Sequence, residues 1–142
     1  MTRNRRDFDA LANYLSSQGR HVFCPDIVGR GDSDYLKNPL HYTYEQYIAD
    51  MNVMIARTHA KEKLDWIGSS MGGLIGMILA ALPRNPIRRL VINDIGPQIP
   101  SAAIGQRGIG ADLVENILQR CRFCRSCRFT VLHGGLTSLD GL

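Results

Sequence analysis

The sequence has no long apolar stretch of the kind that anchors or exports a protein. No apolar run reaches the roughly 18 residues that a membrane helix needs. Residues 1–9 are polar and basic, without the apolar stretch of a signal peptide. We therefore expect a cytoplasmic protein with no membrane partner. Hydrophobic residues make up 44% and charged residues 21% of the chain, which excludes a largely disordered, collagen-like or coiled-coil protein.

Cysteine is scarce in most of the chain, and excess positive charge is confined to its end. Cys24 stands alone in the body, whereas Cys121, Cys124 and Cys127 crowd the C-terminal segment. This distribution does not resemble the disulfide framework of a small secreted domain. Most of the net charge of +4 comes from residues 119–142. A nucleic-acid-binding protein carries positive charge across a face of its folded domain, and here that charge lies mostly at the chain's end. We therefore expect no nucleic-acid partner.

The length of 142 residues suits one core, and helices and strands are predicted to alternate along it. Apolar spacing, caps and breakers predict helices at 5–17, 43–60 and 74–82. Short continuous apolar runs predict strands at 21–24, 64–67 and 89–93. Such alternation favours a parallel sheet covered by helices, an α/β domain. We expect residues 1–118 to form this domain partially and residues 119–142 to be a Cys/Arg-rich tail outside its core.

The sharpest chemical signal is Gly68-Ser69-Ser70-Met71-Gly72, which fits the pattern G-x-S-x-G between a predicted strand and a buried helix. A nucleophile on so tight a turn needs small neighbours two residues before and after it. The turn would expose the Ser70 hydroxyl and aim the Met71 N–H at the point where an oxyanion develops. The alternative is a glycine-rich turn that only lets helix and strand pack closely.

Three ordered motifs make residues 2–97 resemble the α/β-hydrolase fold family, in particular the bacterial branch of small esterases and carbon–carbon bond hydrolases. Residues 24–33 (CPDIVGRGDS) resemble a strand exit of that family, residues 68–73 its nucleophile elbow, and residues 90–97 (LVINDIGP) the next strand and its exit. The resemblance implies Ser70 as nucleophile and Met71 N–H as half of the oxyanion hole. It also implies a small-molecule substrate and no cofactor.

The departures from the family pattern concern the rest of the catalytic triad. Asp94 follows the strand after the elbow, where some relatives place the acid, but an Asp there is often only a cap or turn residue. His133 is the single histidine after Ser70 and lies too close to Asp94 for the usual intervening units. The family fold usually needs roughly 250 residues. We therefore expect an incomplete copy, lacking the N-terminal strands and the C-terminal part that carries the catalytic histidine.

For the other notable polar residues we expect structural or surface roles rather than catalytic ones. We expect Asp26 to brace its loop, since Asx side chains commonly do so after a strand. Three further histidines are expected at the surface or in packing: His21, His41 and His59.

Two functions are consistent with the sequence. The first is a serine hydrolase that acts on an ester-like or related carbonyl substrate, truncated and weakly active or inactive. The second is a non-catalytic protein that binds a metal or a partner through its tail, because Cys121-x2-Cys124-x2-Cys127 has the spacing of three thiolate ligands of an iron–sulfur cluster. The tail is also explained as a segment under no folding selection, for instance after a reading-frame shift near residue 118.

Overall fold

The computed structural model describes residues 4–93 and the backbone of residues 128–132. The chain divides into two compact units, Met1–Asp50 and Met51–Leu142. Within the described residues, none of the helices combines the length and the apolar character that crossing a bilayer requires.

The first unit begins with a 3₁₀-helix, Arg5–Phe8, that runs into helix α1, Asp9–Ser17. The predicted helix is thus confirmed, with a tighter first turn than expected. The Asn4 side chain accepts a hydrogen bond from Arg6 N at 3.0 Å, which is the predicted cap. After α1 the chain turns at Gly19, whose φ of 76° suits a residue without a Cβ.

The strand predicted at 21–24 is wrong, since these residues pair with no other strand in the described part of the chain. A strand exists only where a neighbour takes up its backbone hydrogen bonds, and an apolar run carries no information about that neighbour. Phe23 in this stretch is 57% exposed.

Helix α2 covers Tyr44–Arg57, three residues shorter at its end than the predicted 43–60. Its start shows half of the expected capping box: Gln46 N donates to Thr43 Oγ1 at 3.4 Å. The Gln46 side chain does not return to the cap but donates to Asp50 Oδ1 at 2.8 Å. The Thr43 N–H, which a complete capping box would pair with that side chain, donates to His41 O at 2.8 Å instead. The Glu45 carboxylate is hydrogen-bonded by its own backbone N–H and then by the Thr43 hydroxyl, and both lower its pKa.

The second unit contains a parallel sheet, as the alternating pattern predicts. Its strands are β1 (Leu64–Ser69), β2 (Ile87–Asn93) and β3 (Arg128–Leu132), in the order β1-β2-β3, with helix α3 (Met71–Ala81) between β1 and β2 in sequence. Both strand pairs are parallel, and the last register pair of β1 and β2 is Ser69 with Asn93.

Helix α3 packs closely on this sheet because the residue at the contact, Gly76, has no side chain. A Cβ on Gly76 would lie 2.6 Å from the Trp66 ring and 2.7 Å from Leu90 Cδ1. The largest fully buried side chains are all aliphatic and lie in α3 and β2: Ile75, Leu79, Ile87 and Leu90. Burying aliphatic side chains of this size contributes about 1.5–3 kcal/mol each, so this helix–sheet contact anchors the turn that joins β1 to α3.

Strand β3 corrects one expectation for the tail, in which no strand was predicted. Arg128–Leu132 pairs in parallel with β2, from Arg89 opposite Arg128 to Asn93 opposite Leu132. Pairing of this kind needs only backbone groups, so the Arg/Cys pattern that precedes it does not prevent it. The other residues of the tail lie outside the described residues, and the boundary at residue 118 stays a prediction.

Candidate active site

Ser70 is the single residue between the end of β1 and the start of α3. Its backbone has φ of 49° and ψ of −115°, a left-handed conformation that costs an L-residue about 1–3 kcal/mol. The surroundings hold it there, since Ser70 N donates to Asn93 O at 2.9 Å and Ser70 O accepts from Gly73 N at 2.9 Å and Leu74 N at 3.2 Å. The residue is exposed, so the strained turn is accessible from solvent.

Crowding around this turn explains one of its two flanking glycines. A Cβ on Gly68 would lie 2.3 Å from the carbonyl carbon and oxygen of Gly72, which are backbone atoms that cannot swing aside. A Cβ on Gly72 would meet no described atom within 4 Å. The predicted need for a small residue is therefore confirmed on the strand side, and on the helix side the described contacts impose none.

The backbone N–H of Met71 directly follows the strained residue Ser70 in the chain. Met71 opens α3, and no described residue accepts a hydrogen bond from its N–H. An unpaired N–H in the first turn of a helix, at the positive end of the helix dipole, favours a negatively charged partner. The roles of Ser70 as nucleophile and of Met71 N–H as oxyanion donor remain predictions from the motif.

Two side chains brace the turn from the sheet, and the sequence did not single them out. Trp66 Nε1 donates to Gly72 O at 2.9 Å, and Asn93 Nδ2 donates to Ser69 Oγ at 3.3 Å. The Asn93 Oδ1 is buried and has no partner among the described residues. A polar residue directly after the apolar run of residues 90–92 was the available signal for Asn93, whereas nothing local marks Trp66.

Asp26 braces its loop in the first unit, as predicted. Its carboxylate accepts from Arg5 N at 2.7 Å, from Asp32 N at 3.1 Å and from the Arg5 guanidinium. Burial raises the pKa of Asp26, but these N–H groups and the Arg5 charge outweigh burial and hold the pKa below its ordinary value of 3.8. The loop also brings Gly31 so close that a Cβ there would strike the Asp26 carboxylate.

The histidines and the cysteine among the described residues form no second catalytic or metal-binding site. His21, His41 and His59 are exposed, as expected. Cys24 is a free, half-buried thiol whose pKa is raised by burial and by the Asp9 charge, so it is a poor nucleophile. Within residues 4–93, no three His, Cys, Asp or Glu side chains gather as metal ligands would.

The profile of the alpha/beta hydrolase fold family matches residues 2–130, and the elbow lies within that match. The chain belongs to the α/β-hydrolase fold family. The match extends beyond the region that resembles the family in its motifs and includes most of β3.

Curated α/β-hydrolase relatives are hydrolases and are much longer than this chain. It is 48% identical over 108 residues to a 3-hydroxybutyrate-oligomer hydrolase of Cupriavidus necator, covering 76% of this chain and 36% of that protein. It is 32% identical over 100 residues to the sn-1-specific diacylglycerol lipase ABHD11 of Danio rerio, covering 70% of this chain and 30% of that protein. The chain spans about a third of the length of these relatives.

Solved structures agree on the α/β-hydrolase fold. An alpha/beta hydrolase from Novosphingobium aromaticivorans matches with a TM-score of 0.64 at 41% identity, over 74% of this chain and 36% of that one. A thioesterase domain from the curacin biosynthetic pathway matches with a TM-score of 0.65 at 21% identity, over 85% of this chain and 43% of that one. The second likeness shows the fold alone.

The remaining candidate residues lie outside the described residues. They are the expected acid Asp94, the expected base His133 and the three cysteines of the metal-binding alternative, Cys121, Cys124 and Cys127. Family membership gives that alternative no support. For the hydrolase interpretation, Asp94 and His133 remain predictions from the sequence.

Proposed function

We propose that this protein is a serine hydrolase with Ser70 as its nucleophile. One observation carries the proposal: Ser70 is an exposed residue held at a φ of 49°, directly before a helix whose first N–H has no acceptor among the described residues. A turn that only linked a strand to a helix could have glycine at this position and avoid the backbone strain of a serine at positive φ. Strained backbone of this kind persists where the surrounding structure fixes it, and it clusters at active sites.

In the proposed mechanism, Ser70 Oγ attacks the carbonyl carbon of the substrate. The carbonyl oxygen becomes an oxyanion, which Met71 N–H stabilises together with the positive end of α3. Collapse of this intermediate expels the alcohol and leaves an acyl group on Ser70, which water then removes. We propose that His133 takes the Ser70 hydroxyl proton and passes it to the departing alcohol, and that Asp94 is the triad carboxylate. Both proposals rest only on the order nucleophile, acid, histidine along the sequence, because the spacing from Asp94 to His133 is shorter than the family usually has.

We propose a carboxylic ester, or a closely related carbonyl compound, as the small-molecule substrate. The names of two relatives describe hydrolysis of 3-hydroxybutyrate oligomers and of diacylglycerol, and both substrates are esters. A serine in the elbow, rather than an aspartate, favours an acyl-enzyme over the carboxylate-bound intermediates of dehalogenases and epoxide hydrolases. The mechanism needs no cofactor.

Acyl transfer to Ser70 tests the proposal with a substrate analogue. We expect the 142-residue chain incubated with p-nitrophenyl butyrate to gain one butyryl group, located at Ser70 by peptide mass spectrometry. Replacing the butyrate by the acetate should change the adduct mass accordingly. Ser70→Ala should lose the adduct, whereas the control Ser16→Ala, at an exposed serine of α1, should keep it. Acylation that persists in Ser70→Ala would contradict the assigned nucleophile.

A further inference from the structure

Asn93 is the last residue of β2 and lies beside the turn that carries Ser70. It is the partner of Ser69 in the last register pair of β1 and β2, so it lies level with the residue that immediately precedes Ser70. Paired residues of neighbouring parallel strands project to the same face of the sheet. Asn93 is therefore positioned to act on the elbow through both its backbone and its side chain.

Asn93 makes one hydrogen bond to each of the two serines. Its backbone oxygen accepts from Ser70 N at 2.9 Å, and its Nδ2 donates to Ser69 Oγ at 3.3 Å. The backbone bond survives any substitution at residue 93. The side-chain bond to Ser69 is thus the contribution that depends on the identity of the residue.

Stability alone does not explain an asparagine at this position. Its Oδ1 is buried without a partner among the described residues, and an unsatisfied buried acceptor destabilises a fold. The buried side chains elsewhere in β2 are aliphatic: Ile87, Leu90 and Ile92. A leucine of similar volume at residue 93 would continue that pattern and remove the unsatisfied oxygen.

We propose that Asn93 is a positioning residue that fixes Ser69 and thereby the direction of the Ser70 hydroxyl relative to Met71 N–H. This inference rests on the proposed nucleophilic role of Ser70. The side-chain amide holds the last residue of β1 before the strained turn, where a small displacement changes the angle at which the hydroxyl meets a carbonyl. Ser69 acts as the other half of the same contact.

The test is the rate of covalent labelling by a fluorophosphonate, measured beside the urea midpoint of unfolding. Asn93→Leu should slow labelling of Ser70 by about threefold to tenfold, the rate equivalent of one hydrogen bond, with the midpoint unchanged or higher. Ser69→Ala should slow labelling by a similar factor. The double variant should be no slower than either single one, because both remove the same contact. The control is Asn85→Leu. The Asn85 amide oxygen accepts from Lys63 Nζ, just before the start of β1, so this variant should label at the wild-type rate.

Three results would contradict this account in different ways. Asn93→Leu with a lowered midpoint and an unchanged labelling rate would make Asn93 a structural residue only. If the two reductions in labelling rate multiply in the double variant, Asn93 acts on Ser70 by a route other than its contact with Ser69. Wild-type protein that gains no adduct at Ser70 would overturn the proposed function itself, and with it this inference.

Discussion

At Ser70 the backbone adopts a conformation that costs an L-residue about 1–3 kcal/mol, and hydrogen bonds on both sides of the residue hold it there. Glycine adopts a positive φ without this cost. We therefore expect Ser70→Gly to unfold at higher urea than Ser70→Ala, by about 1 kcal/mol in free energy of unfolding. Both variants lack the hydroxyl, so their difference isolates the backbone. Equal stabilities would mean that the turn is relaxed in solution.

Gly68 and Gly72 provide a matched pair around the same turn. Gly68→Ala forces a Cβ against the backbone of Gly72, and we expect it to lower the free energy of unfolding by about 2 kcal/mol. Gly72→Ala meets open space within α3 and should be neutral or stabilising by up to about 1 kcal/mol, because alanine favours the helix. Urea unfolding followed by circular dichroism measures both. A Gly68→Ala protein as stable as Gly72→Ala would contradict the crowding described at the elbow.

At the scale of elements, the Asp26 contacts join the N-terminal 3₁₀-helix to the loop that follows residue 25. Because the folded pKa of Asp26 is below 3.8, the charged carboxylate contributes stability that is fully present above that value and is lost as pH falls through the folded pKa. Asp26→Asn should lower the free energy of unfolding by about 2 kcal/mol at pH 7. The difference from wild type should shrink as the pH falls below 3.8.

Asp32 supplies the control for that prediction. It pairs with the same Arg5, but its side chain is 80% exposed, so Asp32→Asn should have a much smaller effect. A pH-independent difference between wild type and Asp26→Asn would contradict the assigned ionisation.

The helices and the strands β1 and β2 were predictable from the sequence because their signals are local. Asn4 and Thr43 mark helix starts through contacts with residues a few positions away, and β1 and β2 flank a helix that covers them. The false strand at 21–24 and the missed strand β3 fail for one reason. Strand formation depends on a distant partner, and neither the apolar run at 21–24 nor the Arg-rich surroundings of β3 identify it.

The position of the elbow was predictable, because the motif has its residues at fixed spacing within five positions. Of the two flanking glycines, the described contacts explain Gly68 alone. Its support from β2 was not predictable. The contacts of Asn93 with Ser69 and Ser70 span more than 20 positions in sequence and arise only once the register of β1 and β2 is fixed.

At the scale of the whole molecule, the chain contains a strand–helix–strand unit of the α/β-hydrolase fold and about a third of the length of its curated relatives. The family profile covers residues 2–130, so it overlaps the start of the expected tail. The proposed nucleophile and its oxyanion donor both lie in the described part of that unit. Chemistry at Ser70 is therefore the direct test of what this chain does.

The decisive measurement is the intact mass of the 142-residue chain after treatment with a fluorophosphonate, which reacts with activated serines. Wild type and Ser16→Ala should each gain one adduct, and Ser70→Ala should gain none. That result would establish Ser70 as an activated nucleophile. A folded wild-type protein that gains no adduct, or an adduct that persists in Ser70→Ala, would contradict the central claim.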